Sequence, residues 1–319
     1  MHSGSELSKV KREKRVEEGA YLPQGQIRKA LSGFYYVYYQ GETYQTRGRG
    51  NFRNRNLTPL VGDFVEFESG NKEEGVVQEL LERRNELVRP PIANIDLGVV
   101  VTSAVEPDFS TQLLDRFLVT LENKGIEAII YITKTDLIDD ETYQSLKKYQ
   151  QYYESIGYTV YLPTNAEKDQ AVQDLCSHFA THLTVFMGQS GAGKSTLLNT
   201  ISPELVLKTA AISTSLGRGK HTTRHVELIP LYDGLVADTP GFSAIDLAEI
   251  ELVDLRGLFP DFVQVQDQCR FRGCIHHKEP GCKVKELVDE GTIAEYRYAN
   301  YLQFYEEISQ RKPDYSKKK

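Results

Sequence analysis

The chain has 319 residues, 40% of them hydrophobic and 26% charged, with a formal net charge of −7. That length accommodates two or three domains at roughly 100 to 200 residues each. No apolar run approaches the ~18 residues a membrane helix needs, and the acidic balance argues against indiscriminate nucleic-acid binding, although it leaves room for a local basic patch.

Residues 1–23 are polar and charge-rich, without the apolar core of a signal peptide, and read as a flexible tail or extension of a cytoplasmic protein that needs no membrane. From 24 to 90, the segments "GFYYVYYQ", "ETYQTRGRG", "DFVEFES" and "EGVVQELLER" are separated by Gly, Asn and Pro turns and predict a small β-barrel. Within it, "TRGRGNFRNRN" gathers Arg47, Arg49, Arg53 and Arg55 around Phe52 with no acidic residue. Guanidinium groups neutralise phosphates and an aromatic ring stacks on bases, which makes these five residues the expected RNA contact.

The texture changes at 91. Apolar strands such as "IDLGVVVTSA", "IEAIIYITKTD", "GYTVYLPT", "LTVFMG" and "GLVADTPG" run to 247, the first four separated by amphipathic stretches of helix length. This alternation predicts a largely parallel sheet covered on both faces. From 248 to 319 the chain reads as helical, apart from a Cys/His cluster, and it closes on a helix whose aromatic stripe is expected to be core. Cys176, in "AVQDLCSHF", is expected to be a buried structural thiol.

Residues 188–195, Gly188-Gln189-Ser190-Gly191-Ala192-Gly193-Lys194-Ser195, satisfy G-x-x-x-x-G-K-[ST] between a strand and a helix, with Thr196 next in the helix. Glycines let the backbone close around a phosphate, and unpaired N–H groups at the helix start point at the anion. Lys194 is expected on the β- and γ-phosphates and Ser195 on Mg²⁺. Asp238, at the end of "GLVAD", and Gly241 complete D-x-x-G, which predicts a magnesium contact and a γ-phosphate sensor. Between the two motifs, "GRGKHTTRHVEL" offers Thr222 or Thr223 to close over the metal and the γ-phosphate, Thr223 being preferred.

Thr133-Lys134-Thr135-Asp136 follows an apolar strand and fits [NT]-K-x-D. A carboxylate there accepts from guanine N1–H and the 2-amino group together, which adenine cannot reciprocate. Thr133 stands where asparagine is commoner. Thr164-Asn165-Ala166 fits the weaker T-x-A signal, whose backbone N–H groups approach the guanine oxygen. The base reader thus precedes the phosphate loop, an order expected if a compact sheet has been cut at one loop and rejoined at another. The second switch then leads directly into the C-terminal region, so nucleotide state is expected to reposition that region.

Cys269, Cys274, His276 and Cys282 form C-x4-C-x-H-x5-C, a Cys3His donor set suited to one structural zinc ion, with His277 the alternative ligand. Taken together, "TPLVGD", "SAVEPDFSTQLLDRFLV", "GQSGAGKST", "GRGKHTTRHVEL", "ADTPGFS" and "CRFRGCIHHKEPGC" strongly resemble the ribosome small subunit-dependent GTPase A family over about residues 24 to 313. The resemblance implies an N-terminal OB-fold barrel, a central circularly permuted α/β P-loop GTPase and a C-terminal, mostly α, zinc-binding domain. It also implies GTP and GDP as ligands, action on the small (30S) ribosomal subunit and its 16S rRNA during late maturation, and stimulation of hydrolysis by the subunit. A monomer is expected. Phe242 follows D-x-x-G where a glutamine would orient water, so slow intrinsic turnover is expected, with His221 the candidate for positioning water. Two other classes fit less well: an RNA-binding scaffold holding nucleotide as a structural ligand, and an ATP-driven P-loop enzyme, which Asp136 disfavours.

Overall fold

The structure is a computed structural model that describes residues 22–50, 52, 57–202, 226–238 and 247–311. Strands β1 (Gln24–Leu31), β2 (Phe34–Tyr39), β3 (Glu42–Gly48), β4 (Phe64–Ser69) and β5 (Gly75–Leu80) pair in the ring β1-β2-β3-β5-β4-β1, with only β3 and β5 parallel. Ring closure removes the strand edges, as expected for the barrel. Alternate residues point inward, and Ile27, Val37, Val65, Phe67 and Val77 are fully buried there. Gly25 has no room for a side chain: a Cβ would lie 2.5 Å from Val37 Cγ1 and 2.8 Å from the Tyr38 carbonyl.

A short hairpin, β6 (Glu86–Val88) and β7 (Pro91–Ala93), joins the barrel to the rest of the chain. It docks on the loop before β4, where Val61 bridges Ile92 and Ala93 N donates to the Val61 carbonyl at 2.9 Å. A boundary at 90 therefore falls inside the joint itself.

Strands β8 (Leu97–Ser103), β9 (Glu127–Thr133), β10 (Thr159–Tyr161), β11 (Leu183–Met187), β12 (Glu227–Leu231) and β13 (Gly234–Asp238) form a sheet in the order β10-β9-β8-β11-β13-β12. All neighbours are parallel except β12, which pairs antiparallel with β13. One residue pair, Lys29 with Glu227, continues the sheet into the barrel, reinforced by a Lys29 Nζ–Glu227 Oε2 contact of 3.0 Å. Every residue of β8 and β11 is buried, because helices cover both faces. On one face, Val100, Ile130 and Val185 pack with Leu114, Phe117 and Leu121 of α1 (Thr111–Lys124) and Leu146 of α2 (Asp140–Ser155). On the other, Val99, Val101, Ile129 and Phe186 pack with α3 (Lys168–Ser177) and α4 (Lys194–Ile201), and Cys176 is buried among them as expected. Ser110 caps α1 by accepting from Leu113 N, and Gly125 ends it in the left-handed region at φ 62°.

The C-terminal region contains α5 (Pro260–Val263), α6 (Lys283–Asp289) and α7 (Glu295–Ser309). Its core of Phe259, Phe262, Tyr301 and Phe304 includes Val119 of α1, and the aromatic stripe of α7 is core packing. Arg297 is fully buried between two carboxylates. Its Nη1 pairs with Asp115 of α1, and its Nη2 lies 2.9 Å from Asp261 Oδ1. Tyr153 OH and Asn300 Nδ2 donate to Asp115 at 2.6 Å each, and Tyr152 OH donates to Asp261 at 2.9 Å. Burial raises the Asp115 carboxyl above its ordinary value, while the Arg297 charge and these two donors oppose that rise. Arg297→Met leaves two buried carboxylates without their cation and is expected to lower unfolding free energy by about 3–5 kcal/mol in a denaturant titration.

Candidate functional site

The three loops that follow β11, β9 and β8 lie at the carboxyl ends of adjacent parallel strands, where open sheets of this kind bind ligands. Gly188 leaves β11 at φ 143°, and a Cβ there would lie 2.0 Å from the Val101 carbonyl, so only glycine fits. Gly191 and Gly193 follow at φ 82° and 85°, and α4 starts at Lys194 with Ser195 and Thr196 exposed in its first turn. Ser190 is exposed and Ala192 is buried. Lys194 Nζ donates to the carbonyls of Gly188 at 2.6 Å and Gln189 at 2.7 Å, which folds the ammonium back onto the loop. Burial lowers its pKa below the ordinary lysine value.

Thr133 ends β9 and joins the two motifs. Its hydroxyl lies 2.7 Å from the Ala192 carbonyl of the phosphate loop and 3.2 Å from the Thr102 carbonyl of β8. Lys134 then turns through the left-handed region at φ 58°, and its Nζ donates to the Glu106 carbonyl. Thr135 Oγ1 donates to the Pro163 carbonyl at 2.5 Å, which ties this loop to the one after β10. Asp136 is exposed in the following turn, Thr135–Leu137. Together these residues line a cavity of about 210 Å³ with Gly193, Thr196, Thr200, Pro163 and Lys168.

Thr164 donates to Glu167 Oε2 through both its N–H and its hydroxyl, at 3.0 and 2.8 Å, which caps the turn. Ala166 is exposed beside it. Lys168 and Thr200 were missed by sequence reasoning, and neither carries a motif: each reaches the cavity only because α3 and α4 pack on the same face. His221, Thr222, Thr223 and Gly241 lie outside the described residues, and Asp238 is described only as the end of β13.

In the C-terminal region, Cys269, Cys274, His276 and Cys282 bring their ligating atoms within 4.8 Å of one another. His276 Nδ1 faces the sulfurs, 3.3 Å from Cys282 Sγ and 3.7 Å from Cys269 Sγ. His277 instead packs against Tyr305 with ring centroids 4.5 Å apart and the rings tilted by 51°, so His276 is the fourth donor. Burial pushes the Cys274 thiol up to about 12 and the His276 imidazole down to about 4. Lys283 N donates to Cys269 Sγ at 3.3 Å, and a soft-ligand dication would give all four groups a common partner. The surroundings hold the loop in place: Tyr298 OH donates to the His276 carbonyl at 2.8 Å, Tyr301 OH donates to the Ile275 carbonyl, and Glu279 accepts from the N–H groups of Ile275 and His277 at 2.9 Å each.

The arginine cluster of the barrel is only partly as expected. Arg47 and Arg49 are exposed at the end of β3, with the Arg47 guanidinium 4.6 Å from the Phe34 ring centroid. Phe52, however, is only 3% exposed and packs near Gly48 in the barrel core, so its ring is withdrawn from solvent and is no stacking platform. The apolar ring gains more from burial in the barrel than from exposure beside the arginines. Arg53 and Arg55 lie outside the described residues.

The chain matches the family model described as RsgA GTPase over residues 80–248 and the one described as RsgA N-terminal domain over residues 24–77. It is 66% identical over 295 residues to the small ribosomal subunit biogenesis GTPase RsgA of Enterococcus faecalis, covering 92% of this chain and 98% of that one. The protein of the same description from Bacillus subtilis is 53% identical over 299 residues, covering 92% of this chain and all of its own. Among solved structures, YloQ, described as a circularly permuted GTPase, aligns with a TM-score of 0.78 at 48% identity over 94% of this chain and 100% of that one. YjeQ from Thermotoga maritima also aligns with a TM-score of 0.78, at 32% identity over 92% and 100%.

The Cys3His cluster is expected to carry one zinc ion per chain by elemental analysis of the purified protein. Cys274→Ser should lose that metal and lower the melting temperature, since binding energy at such a site is folding energy.

Proposed function

The chain belongs to the RsgA GTPase family and is a GTPase of small ribosomal subunit biogenesis, and we propose the residues and the cycle by which it works. The observation that carries this reading is the Thr133 hydroxyl on the Ala192 carbonyl, which sets the base-reading loop directly against the phosphate loop.

On this reading, the Asp136 carboxylate accepts from guanine N1–H and the 2-amino group, and Lys134 covers one face of the base. The N–H groups of 189–195 and the Lys194 ammonium take the β- and γ-phosphates, Lys194 exchanging two loop carbonyls for phosphate oxygens. Ser195, Thr223 and Asp238 are the residues that would hold Mg²⁺, which would supply positive charge beside the phosphates. Thr222 stands beside Thr223 in the first switch, and Gly241 N–H senses the γ-phosphate.

Phe242 offers no polar atom for water at the position after D-x-x-G. The free protein is therefore expected to turn over slowly. His221, next to the switch threonines, is the candidate for positioning water when a partner is bound. The small subunit and its 16S rRNA are that partner, met through Arg47, Arg49, Arg53 and Arg55 of the barrel and through the zinc-binding region. Hydrolysis then lowers affinity and releases a monomeric, cytoplasmic factor.

The test is GTP hydrolysis by the full chain with and without purified small subunits, with ATP in parallel. The subunit is expected to accelerate GTP turnover at least tenfold and to leave ATP untouched, and His221→Ala is expected to remove that acceleration while GDP affinity holds. Equal turnover with and without subunits would sink the proposed cycle.

A further inference from the structure

Besides the nucleotide site, the molecule has a larger cleft of about 800 Å³ where the barrel meets the sheet. Asp96, Leu183 and Gly234, which line it, precede or begin β8, β11 and β13, so the cleft lies at the amino ends of the parallel strands. The phosphate loop leaves the opposite ends of the same strands. The cleft exists because the barrel is attached there, and nothing in the GTPase cycle above uses it.

Its barrel wall carries Arg28, whose guanidinium carbon sits 3.4 Å from the Tyr38 ring centroid. Arginine stacked on an aromatic face keeps its in-plane donors free to meet an anion. Arg28 Nε is buried and has no hydrogen-bond partner among the described residues. A half-buried cation with an unpaired donor costs free energy unless a ligand supplies the acceptor.

Apolar and polar groups surround that cation. Phe64 on the barrel side and Tyr232 on the sheet side are 44% and 51% exposed, unusual for large rings that line one cleft. His182 donates through Nδ1 to the His178 carbonyl at 2.7 Å, which leaves Nε2 as an acceptor. Of the two carboxylates, Asp96 is neutralised by Arg84 at 2.7 Å and accepts from Leu183 N at 2.8 Å, while Asp233 is exposed on the β12–β13 turn. Cation, ring faces and acceptors in one cleft suit a ligand that combines an anion, a flat heterocycle and hydroxyl or amino donors.

We propose that this cleft is a second ligand site, separate from the phosphate loop, that takes a nucleoside monophosphate unit, with its phosphate on Arg28 and its base against Phe64. Such a unit comes either as a free nucleotide or as one residue of a single-stranded RNA. The inference does not depend on the GTPase cycle.

The experiment uses the full chain with its phosphate-loop site filled by GDP and Mg²⁺, titrated with uridine 5′-monophosphate, with uridine, and with an all-uridine RNA hexamer. Saturable binding of the monophosphate or the hexamer is expected, with uridine about tenfold weaker because it lacks the anion. Arg28→Gln should weaken the phosphate-bearing probes about tenfold, and Phe64→Ser should weaken every probe that binds, with GDP affinity unchanged in both variants. A hexamer that binds far more tightly than the monophosphate identifies an RNA strand as the source, and equal affinities identify a free nucleotide. Absence of saturable binding by both phosphate-bearing probes, or binding that neither variant alters, overturns the proposal. Should Arg28→Gln fail to fold, the exposed Phe64 variant decides alone.

Discussion

The hydrogen bond from the Thr133 hydroxyl to the Ala192 carbonyl is the contact on which the nucleotide site depends. It joins a loop that comes early in the chain to one that comes almost sixty residues later, and β8 between them contributes the Thr102 carbonyl to the same hydroxyl. Gly193 is required partly by this contact, since a Cβ there would lie 3.1 Å from Thr133 Oγ1, in a backbone already in the left-handed region. Sheet order, not chain order, therefore sets the site. With β9, β8 and β11 as neighbours, the base-reading and phosphate loops leave the same sheet edge whichever is synthesised first. The permutation moves the chain ends and preserves the contacts.

What the permutation does change is where the chain goes after the second switch. The C-terminal region is held to α1 and α2 by Arg297, a buried charge between Asp115 and Asp261, with Tyr152, Tyr153 and Asn300 completing its surroundings. Arg116 with Glu307 and Lys124 with Glu249 add two contacts along the same helix. Partly exposed pairs of this kind contribute less, whereas separating a fully buried pair costs several kcal/mol. Any displacement of the C-terminal region would then have to carry α1 along or separate that pair. This constraint favours motion of a joined unit over a hinge between the sheet and the C-terminal helices.

Local patterns made much of this readable in the sequence. The phosphate loop, the base reader and the Cys3His set are short motifs whose chemistry needs fixed spacing, and the strands of the sheet are continuous apolar runs because both faces are covered. Other features depend on contacts between residues far apart in sequence. Thr133 could be read as a departure from asparagine, but not as the partner of Ala192. Phe52 looked like a stacking ring because its neighbours are arginines, and it is a core residue because the barrel closes over it. Thr164 fits a T-x-A pattern, but its contact with Glu167, three residues on, could not be read from that pattern. Arg297 lies in an aromatic helix and gave no sign that its counter-charges sit 36 and 182 residues away.

These separated motifs are expected to make one site selective for guanine. Calorimetric titration of the full chain with GDP and with ADP, in Mg²⁺, tests it most directly, together with the Asp136→Ala variant. The account predicts a preference for GDP on the order of 10⁴-fold, as for sites that pair a ligand's donors, and its collapse in the variant. GDP and ADP binding within about tenfold of each other, or a preference that survives Asp136→Ala, would contradict it.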